Sequence, residues 1–136
     1  MKHHTISIAE IKNVLSPVFE HYRDKVIFAY LFGSTVHESI YPAKDIDIAV
    51  YFQKGSLESY IDGRLSLYAD ICRALKTNDI DLIILNTTTN LMLMEEIVRS
   101  GVILYDKSPD LRVDFEFKIL HQVIDFREQR YITMGI

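Results

Sequence analysis

The chain has 136 residues, of which 49% are hydrophobic, and its 15 basic and 19 acidic side chains give a net charge of −4. This size and composition predict one folded domain over residues 1–136 and exclude a disordered chain. An acidic chain without a basic run also excludes general nucleic-acid binding, which needs many phosphate contacts, but a single nucleotide can still bind where a metal ion supplies positive charge.

The sequence contains no signal for export or membrane insertion. No apolar run approaches the roughly 18 residues that span a bilayer, and residues 1–5 lack the apolar stretch of a signal peptide. The one cysteine, Cys72, excludes an internal disulfide and is expected to be a buried thiol on a helix. We therefore expect a cytoplasmic protein.

Hydrophobic periodicity and capping signals predict alternating helices and strands. Ser7 and Glu10 have the spacing of a capping box, and Gly101 stands where helices commonly end. The predicted elements, in chain order, are a helix over 7–22, a strand over 26–32, a short helix and loop over 35–44, a strand over 45–52, a helix over 57–76, a strand over 79–85, a helix over 91–100, a strand over 102–105 and a helix from 109 towards 132. This order predicts an α/β (α+β) domain in which helices flank a small mixed β-sheet.

Two sets of apolar residues on the predicted helices are assigned to the core. The stripe expected to face the sheet from the helix over 57–76 consists of Leu57, Tyr60, Ile61, Leu65, Tyr68, Ile71, Cys72 and Leu75. The last two helices carry Met92, Met94, Phe117 and Tyr131. Core packing is the default expectation for these four side chains, and a partner groove or a homodimer face is the alternative.

The second predicted strand begins with two acids where a core strand should be apolar. Asp45 and Asp47 are two residues apart, so both side chains point to the same side of the strand. Neighbouring carboxylates repel one another, and their burial without compensation is costly. A divalent cation removes this cost, and Mg²⁺ prefers one or two carboxylates together with phosphate oxygens and water. The pair therefore predicts a metal–nucleotide site, beside the simpler interpretation of a strand that starts in solvent.

Further polar signals accompany this pair. Asp79 and Asp81 repeat the spacing on the third predicted strand, so three or four carboxylates converge if the two strands are neighbours. Gly33 directly follows an apolar strand and allows close backbone approach or positive φ. Ser34 adds a hydroxyl and an N–H at the start of a following helix, where phosphates commonly bind. Together these residues predict a phosphate cradle opposite a carboxylate pair.

The segments Leu31–Ser34 and Asp45–Val50, separated by ten residues, resemble the signature of the polymerase-β-type nucleotidyltransferase superfamily. The short chain is similar to the minimal nucleotidyltransferases (MNT family), and the spacing resembles that of the MNT antitoxins of HEPN/MNT toxin–antitoxin pairs. The stretches Asp81–Leu85 and Glu95–Tyr105 are also similar to this family. The resemblance covers residues 25–106 and implies a nucleotidyltransferase fold.

The resemblance also implies a mechanism and a set of site residues. Asp45 and Asp47 would bind Mg²⁺ ions that hold the triphosphate of ATP. Asp81 would complete the metal site near the attacking hydroxyl, and Asp79 is the alternative third acid. The Gly-Ser turn would contact the β- and γ-phosphates. The products would be a nucleotidylated acceptor and pyrophosphate.

One segment departs from the pattern of the family. Many small MNT proteins carry an arginine just after Gly-Ser, whereas this chain has Thr35–Glu38. Lys44 is the candidate that would compensate the charge of the triphosphate, and Arg64 and Arg73 are the alternatives. An ordinary surface charge remains the simpler interpretation of each.

The resemblance implies that a partner protein supplies the acceptor. The chain would then be a type VII-like antitoxin, a protein adenylyltransferase that forms a hetero-oligomer with a HEPN ribonuclease toxin. It would add AMP to a hydroxyl of that toxin, typically of a tyrosine. One alternative is a small-molecule acceptor, as in aminoglycoside nucleotidyltransferases, and the other is an antitoxin that acts by binding alone.

Overall fold

The computed structural model describes residues 6–33, 36 and 45–133. Its helices are α1 (Ile8–His21), α2 (Leu57–Leu75), α3 (Leu91–Ser100) and α4 (Pro109–Thr133), and its strands are β1 (Val26–Phe32), β2 (Ile46–Phe52), β3 (Ile80–Ile84) and β4 (Val102–Asp106). The prediction is confirmed for each of these elements, with ends that differ by at most one residue. The short helix and loop predicted over 35–44 lie outside the described residues except at Val36.

The four strands of the described part of the chain form one mixed sheet in the order β3-β2-β1-β4. β1 is antiparallel to both of its neighbours, whereas β2 and β3 are parallel. A parallel pair needs a long crossover, and α2 supplies it between β2 and β3. The predicted α+β class with a small mixed sheet is therefore confirmed.

Helices cover both faces of the sheet. One buried cluster joins α1 and α2 to the side chains of one strand face, and a second cluster joins α3 and α4 to the other face. All seven residues of β1 are buried as a result. On β2, Ile48 belongs to the first cluster and Ala49 to the second, so the odd-numbered side chains of β2 face α3 and α4.

The predicted stripe on α2 is wrong in its first half. Leu57, Ile61 and Leu65 are exposed, and the residues that face the core are Gly63, Leu67, Ile71 and Leu75. The cause is a close approach at Gly63, where a Cβ would stand 3.3 Å from Cζ of Phe52. The missing side chain lets the first half of the helix lie against the sheet along Gly63 rather than along Leu57 and Leu65.

Two polar contacts attach the elements that follow β2. The side chain of Asn86 forms two hydrogen bonds with the main chain of Phe52, since Oδ1 accepts from N at 2.8 Å and Nδ2 donates to O at 3.0 Å. On α2, Arg64 donates from Nε to the main-chain carbonyl of Leu82 at 2.8 Å. Leu82 lies on β3, an edge strand of the sheet.

A half-buried network connects α4 to the sheet. Arg112 donates from Nε to Asp106 at 2.6 Å and from Nη1 to both carboxylate oxygens of Glu116 at 3.1 Å. Glu116 also accepts the hydroxyl of Tyr30 at 2.6 Å. Burial and the neighbouring Glu116 carboxylate raise the pKa of Tyr30, so its hydroxyl stays protonated and donates. This network fixes the first half of α4.

The second half of α4 extends past the core. Its buried residues are Ile119 and Val123, and every residue from 124 to 133 is exposed. Among the apolar residues assigned to the core from sequence, Met94 is buried, whereas Met92, Phe117 and Tyr131 are 80%, 64% and 59% exposed. No helix within the described part of the chain is both long enough and apolar enough to cross a membrane.

Candidate functional site

Asp47 is the second residue of β2, which lies between β1 and β3 in the sheet. Its register partner on β1 is Phe32, and its register partner on β3 is Asp81. Because partners in a parallel pair point to the same side, both carboxylates face the α3 and α4 side of the sheet. Asp47 is half-buried and Asp81 is exposed. The structure thus brings together two acids that are 34 positions apart in the chain.

Asp79 occupies a different place from Asp81. Its main-chain carbonyl accepts from the N–H of Ile46 at 2.8 Å, and its own N–H donates to the hydroxyl of Thr77 at 3.1 Å. It therefore stands in the turn before β3, one pleat away from the level of Asp47. Sequence spacing did not distinguish Asp79 from Asp81. In the register of the sheet, Asp81 is the partner of Asp47, whereas Asp79 precedes β3.

The electrostatic environment of Asp47 is strongly acidic. Its pKa is raised from 3.8 to about 6, first by burial and then by the charges of Asp81, Asp45 and Glu96. Each of these three groups is a carboxylate, so ionisation of Asp47 adds a negative charge to an already negative site. A cation bound among these groups would relieve this repulsion.

The turn after β1 packs directly on Asp47. Gly33 has a φ of +78°, a conformation that side-chain-bearing residues rarely adopt. A Cβ at this position would stand 3.1 Å from Cγ of Asp47 and closer still to Oδ2. The glycine predicted for close backbone approach is therefore in close approach to a carboxylate, and the backbone after β1 borders the acidic site.

The other candidate residues fall in several places. Asp45 is exposed and directly precedes β2. Ser34 and Lys44 lie outside the described residues. The alternative cations have partners of their own: Arg64 donates to the carbonyl of Leu82, the residue after Asp81, and Arg73 pairs with Asp70.

Glu96 is a member of the site that sequence reasoning did not identify. It is exposed on α3, and its charge contributes to the raised pKa of Asp47. The spacing of the apolar residues around it, such as Met94 and Ile97, predicted a helix. That spacing did not predict which strand residue Glu96 would approach. Such a long-range contact can be found only from the packing of α3 on the sheet.

A cavity of about 550 Å³ lies on the same face of the sheet but at its opposite end. Tyr51, Lys54, Phe115 and Lys118 are among its lining residues, whereas Asp47 and Asp81 are not. Tyr51 is four residues beyond Asp47 on β2, which corresponds to about 13 Å along the strand. The acidic site is therefore separate from this cavity.

The donor chemistry of the site suits a hard divalent cation. Asp47 and Asp81 supply carboxylate oxygens on one face, and Mg²⁺ usually takes one or two carboxylates and completes its shell with phosphate and water. Within residues 6–33, 36 and 45–133, no three His, Cys, Asp or Glu side chains are already arranged to hold a metal ion. The residues therefore fit an ion that binds together with a phosphate-bearing ligand.

The family model of the polymerase β nucleotidyltransferases matches residues 13–110, which include the sheet and all four acids. The chain belongs to this family. Its sheet, its Gly33 turn and its Asp47–Asp81 pair are accordingly parts of a nucleotidyltransferase domain. No curated protein matches the chain in a sequence search.

Solved structures of toxin–antitoxin complexes contain chains with a similar fold. A mutant of the MntA–HpeT complex matches with a TM-score of 0.72 at 21% identity, over 91% of this chain and 95% of that chain. A toxin–antitoxin with AMP-PNP gives 0.71 at 22% identity, over 91% and 95%. The complex of a tri-AMPylated Shewanella oneidensis HEPN toxin with an MNT antitoxin gives 0.66 at 22% identity, over 92% and 93%. At these identities the likeness concerns the fold.

Proposed function

We propose that this chain is a Mg²⁺-dependent protein adenylyltransferase that acts as an antitoxin. In this proposal residues 1–136 form a single domain that transfers AMP from ATP to a hydroxyl, most simply that of a tyrosine, on a HEPN-type ribonuclease toxin. The modified toxin would be inactive. The chain and the toxin would act together as a hetero-oligomer in the cytoplasm.

The observation that carries the proposal is the acidic pair beside the Gly33 turn. Asp47 and Asp81 lie side by side on parallel strands, and the charges around Asp47 raise its pKa to about 6. A structural role gives no reason to keep two carboxylates side by side on a sheet face, because they repel each other and destabilise the fold. Binding of a metal–nucleotide complex accounts for their placement.

The chain's own residues would divide the work as follows. Asp45, Asp47 and Asp81 would hold Mg²⁺, with Asp81 preferred to Asp79 because it is the register partner of Asp47. Bound Mg²⁺ would neutralise the phosphate charge and orient the triphosphate. Asp81, which is exposed and therefore accessible, would accept the proton of the attacking hydroxyl.

Phosphate binding is assigned to the turn after β1. The backbone at Gly33 borders Asp47, so a triphosphate held by the ion would also meet the N–H groups of this turn. Ser34 and Lys44 are proposed to bind the phosphates on the basis of their sequence positions. The acceptor's hydroxyl oxygen would bond to the α-phosphorus of ATP. At the same time the bond between the α-phosphorus and the oxygen that bridges to the β-phosphorus would break, and pyrophosphate would leave.

The protein acceptor is proposed from the exposure of two of the acids and from the structural neighbours. Asp45 and Asp81 are exposed, which leaves access for a large substrate. One neighbouring structure contains AMP-PNP, and another contains a tri-AMPylated HEPN toxin with an MNT antitoxin. Both are compatible with transfer of AMP to a partner protein.

Intact mass spectrometry tests the proposal. A candidate HEPN-type partner protein would be incubated with the chain, Mg²⁺ and each nucleoside triphosphate in turn. We expect a mass gain of one or more AMP units with ATP. The gain should disappear with the double variant Asp45→Ala/Asp47→Ala and persist with Asp62→Asn, which alters an exposed aspartate on α2, across the sheet.

Two further variants distinguish the third acid. Asp81→Asn should abolish the transfer, whereas Asp79→Asn should retain most of it. A toxin that binds the chain tightly but gains no mass with any nucleotide would replace the proposal with neutralisation by binding alone. Absence of both binding and mass gain would favour a small-molecule acceptor.

A further inference from the structure

Helix α4 carries a second apolar stripe that does not face its own domain. Val113, Phe117, Leu120, Ile124 and Tyr131 are spaced four, three, four and seven residues apart. In a heptad repeat this spacing places Val113 and Leu120 at d positions and Phe117, Ile124 and Tyr131 at a positions, which form the contact line of helix pairs. The d position between Ile124 and Tyr131 is Arg127. The residues that α4 buries against the sheet, Ile119 and Val123, lie on a different side of the helix. We call the five residues the α4 seam.

Most of the α4 seam is open to solvent. Val113 is 51% exposed, Phe117 64%, Ile124 50% and Tyr131 59%. The seam continues past Val123, where the ten exposed residues of α4 extend about 15 Å at the usual helical rise. The described contact of Arg127 with Glu95 holds this extension by one exposed ion pair, which is worth little. An isolated helical end of this length is marginal in water and gains order when a partner covers it.

We propose that the α4 seam is the docking surface for a helix of a partner protein whose own apolar seam is flanked by lysine or arginine. This inference rests on the proposed function in one respect, namely that the partner is the toxin which the chain modifies. The seam is then separate from the transfer site. It would hold the toxin while the acids on the sheet modify it.

The charges beside the seam argue for a basic partner. In the heptad the e positions are Asp114, His121 and Glu128, and all three are exposed. Asp114 also lies at the rim of the cavity between α4 and the sheet. The ring of His121 packs on Phe117 at 4.4 Å between centroids, and within the described residues Asp114 and Glu128 have no ion-pair partner. Basic residues at the flank of a partner helix would pair with both acids.

A second copy of this chain does not supply these charges. In an antiparallel pair of α4 helices the e positions face one another, so Asp114 would stand opposite Glu128 of the second copy. In a parallel pair the e positions face the g positions, and Asp114 and Glu128 would then meet Pro109 and Val123, which carry no charge. Neither self-pairing gives the acids a cation, so a different, basic helix is the better occupant.

Calorimetric titration of a candidate HEPN-type partner protein into the full-length chain tests the proposal. The seam variant is Ile124→Glu, and its matched control is Met92→Glu, which places the same charge at an 80% exposed apolar residue of α3. We expect Ile124→Glu to weaken binding about 100-fold, as for the loss of a central interface side chain, and the control to change it less than about threefold. Because both positions are exposed, neither variant should change the thermal unfolding of the free chain.

A charge variant gives a second readout. Glu128→Lys should weaken binding at low salt, and it should reduce the dependence of the affinity on salt concentration. The proposal would be overturned if the toxin bound the wild type, Ile124→Glu and Glu128→Lys with equal affinity. It would also be overturned if the wild-type chain did not bind the toxin. A free chain that is dimeric, and that Ile124→Glu converts to a monomer without loss of toxin binding, would assign the seam to a second copy and overturn it too.

The same samples separate this inference from the proposed function. Mass spectrometry after addition of ATP and Mg²⁺ reports the transfer of AMP independently of binding. A toxin complex that depends on Ile124 but shows no transfer would support the seam and contradict the adenylyltransferase. Transfer that is unaffected by Ile124→Glu, together with unchanged affinity, would do the reverse.

Discussion

Gly33 lies against the carboxylate of Asp47 so closely that any side chain at position 33 would overlap Oδ2. The glycine serves two purposes, because it also holds a φ of +78°. The turn after β1 and the acid of β2 are therefore a single unit. A change at one of these residues displaces the other, which gives the first prediction.

Gly33→Ala should damage both activity and stability. The Cβ forces Asp47 to move, and we expect transfer to fall at least ~100-fold, since small displacements of a positioning group have effects of this size. The positive φ should lower the free energy of unfolding by about 1–2 kcal/mol. Transfer assays and urea denaturation measure the two effects. Gly55→Ala is the control because Gly55 is exposed, lacks a positive φ, and would place its Cβ only against the rotatable hydroxyl of Ser59, at 2.6 Å. A fully active Gly33→Ala would contradict the close contact.

Asp47→Asn should stabilise the protein at neutral pH when divalent cations are removed. The folded-state pKa of Asp47 is raised from 3.8 to about 6, so the folded state binds more protons than the unfolded state between these values. Stability is therefore lost as the pH rises through this window and is constant above it. Since Asp47 is only half-buried and solvent screens its charge, we expect a gain of on the order of 1 kcal/mol at pH 8 and none below pH 4.

Addition of Mg²⁺ and ATP should make the wild type more stable than the Asp47→Asn variant. The ligands stabilise the wild type because they bind the folded state, and the asparagine variant should gain little. Thermal unfolding at pH 8, with EDTA or with Mg²⁺ and ATP, measures both parts of this prediction. Asp62→Asn should behave as the wild type. A wild type whose melting temperature ignores Mg²⁺ and ATP would argue against the metal–nucleotide site.

Arg112→Met should destabilise the attachment of α4. Removal of the guanidinium leaves Asp106 and Glu116 without their cation, and we expect a loss of about 2–3 kcal/mol in the free energy of unfolding. Tyr30→Phe removes one hydrogen bond to Glu116 and should cost about 1 kcal/mol. Urea denaturation measures both. Arg23→Met, which breaks an exposed pair, should change stability by less than about 0.5 kcal/mol, and a similar effect at Arg112 would show that the network contributes nothing.

Asn86→Asp should destabilise the end of the sheet even though the side chain keeps its shape. The carboxylate can still accept from the N–H of Phe52 but cannot donate to its carbonyl, and it sets two oxygens against each other. We expect a loss of about 1–3 kcal/mol. Asn78→Ala, at an exposed position, is the control. Hydrogen exchange of the Phe52 amide gives a local measurement, and unchanged protection would contradict the role of Asn86.

Local patterns were sufficient to predict the strands and the position of the acids on them. Period-two alternation placed Asp47 on one side of the second strand with Asp45, which in the structure directly precedes that strand. The apolar run before Gly33 marked the end of β1. These features depend only on neighbours within one strand. The family resemblance then related them to a nucleotide site.

Contacts between distant elements could not be predicted in this way. The pairing of Asp81 with Asp47 depends on the register of β3, and the approach of Glu96 depends on how α3 packs. The stripe on α2 was wrong because a glycine contact, rather than the largest apolar side chains, determines which side of the helix faces the sheet. Lys76 ends the same helix with a φ of 56°. Glycine is the usual residue in this left-handed conformation, so a lysine there was not predicted from the sequence.

The bond from Arg64 to the carbonyl of Leu82 has a consequence for aggregation. β3 is an edge strand, and its outward carbonyls are the acceptors that a foreign strand needs in order to extend the sheet. The guanidinium already occupies one of these acceptors and covers the edge with a charge. Recruitment of another molecule to the folded sheet by strand addition is therefore obstructed at this edge.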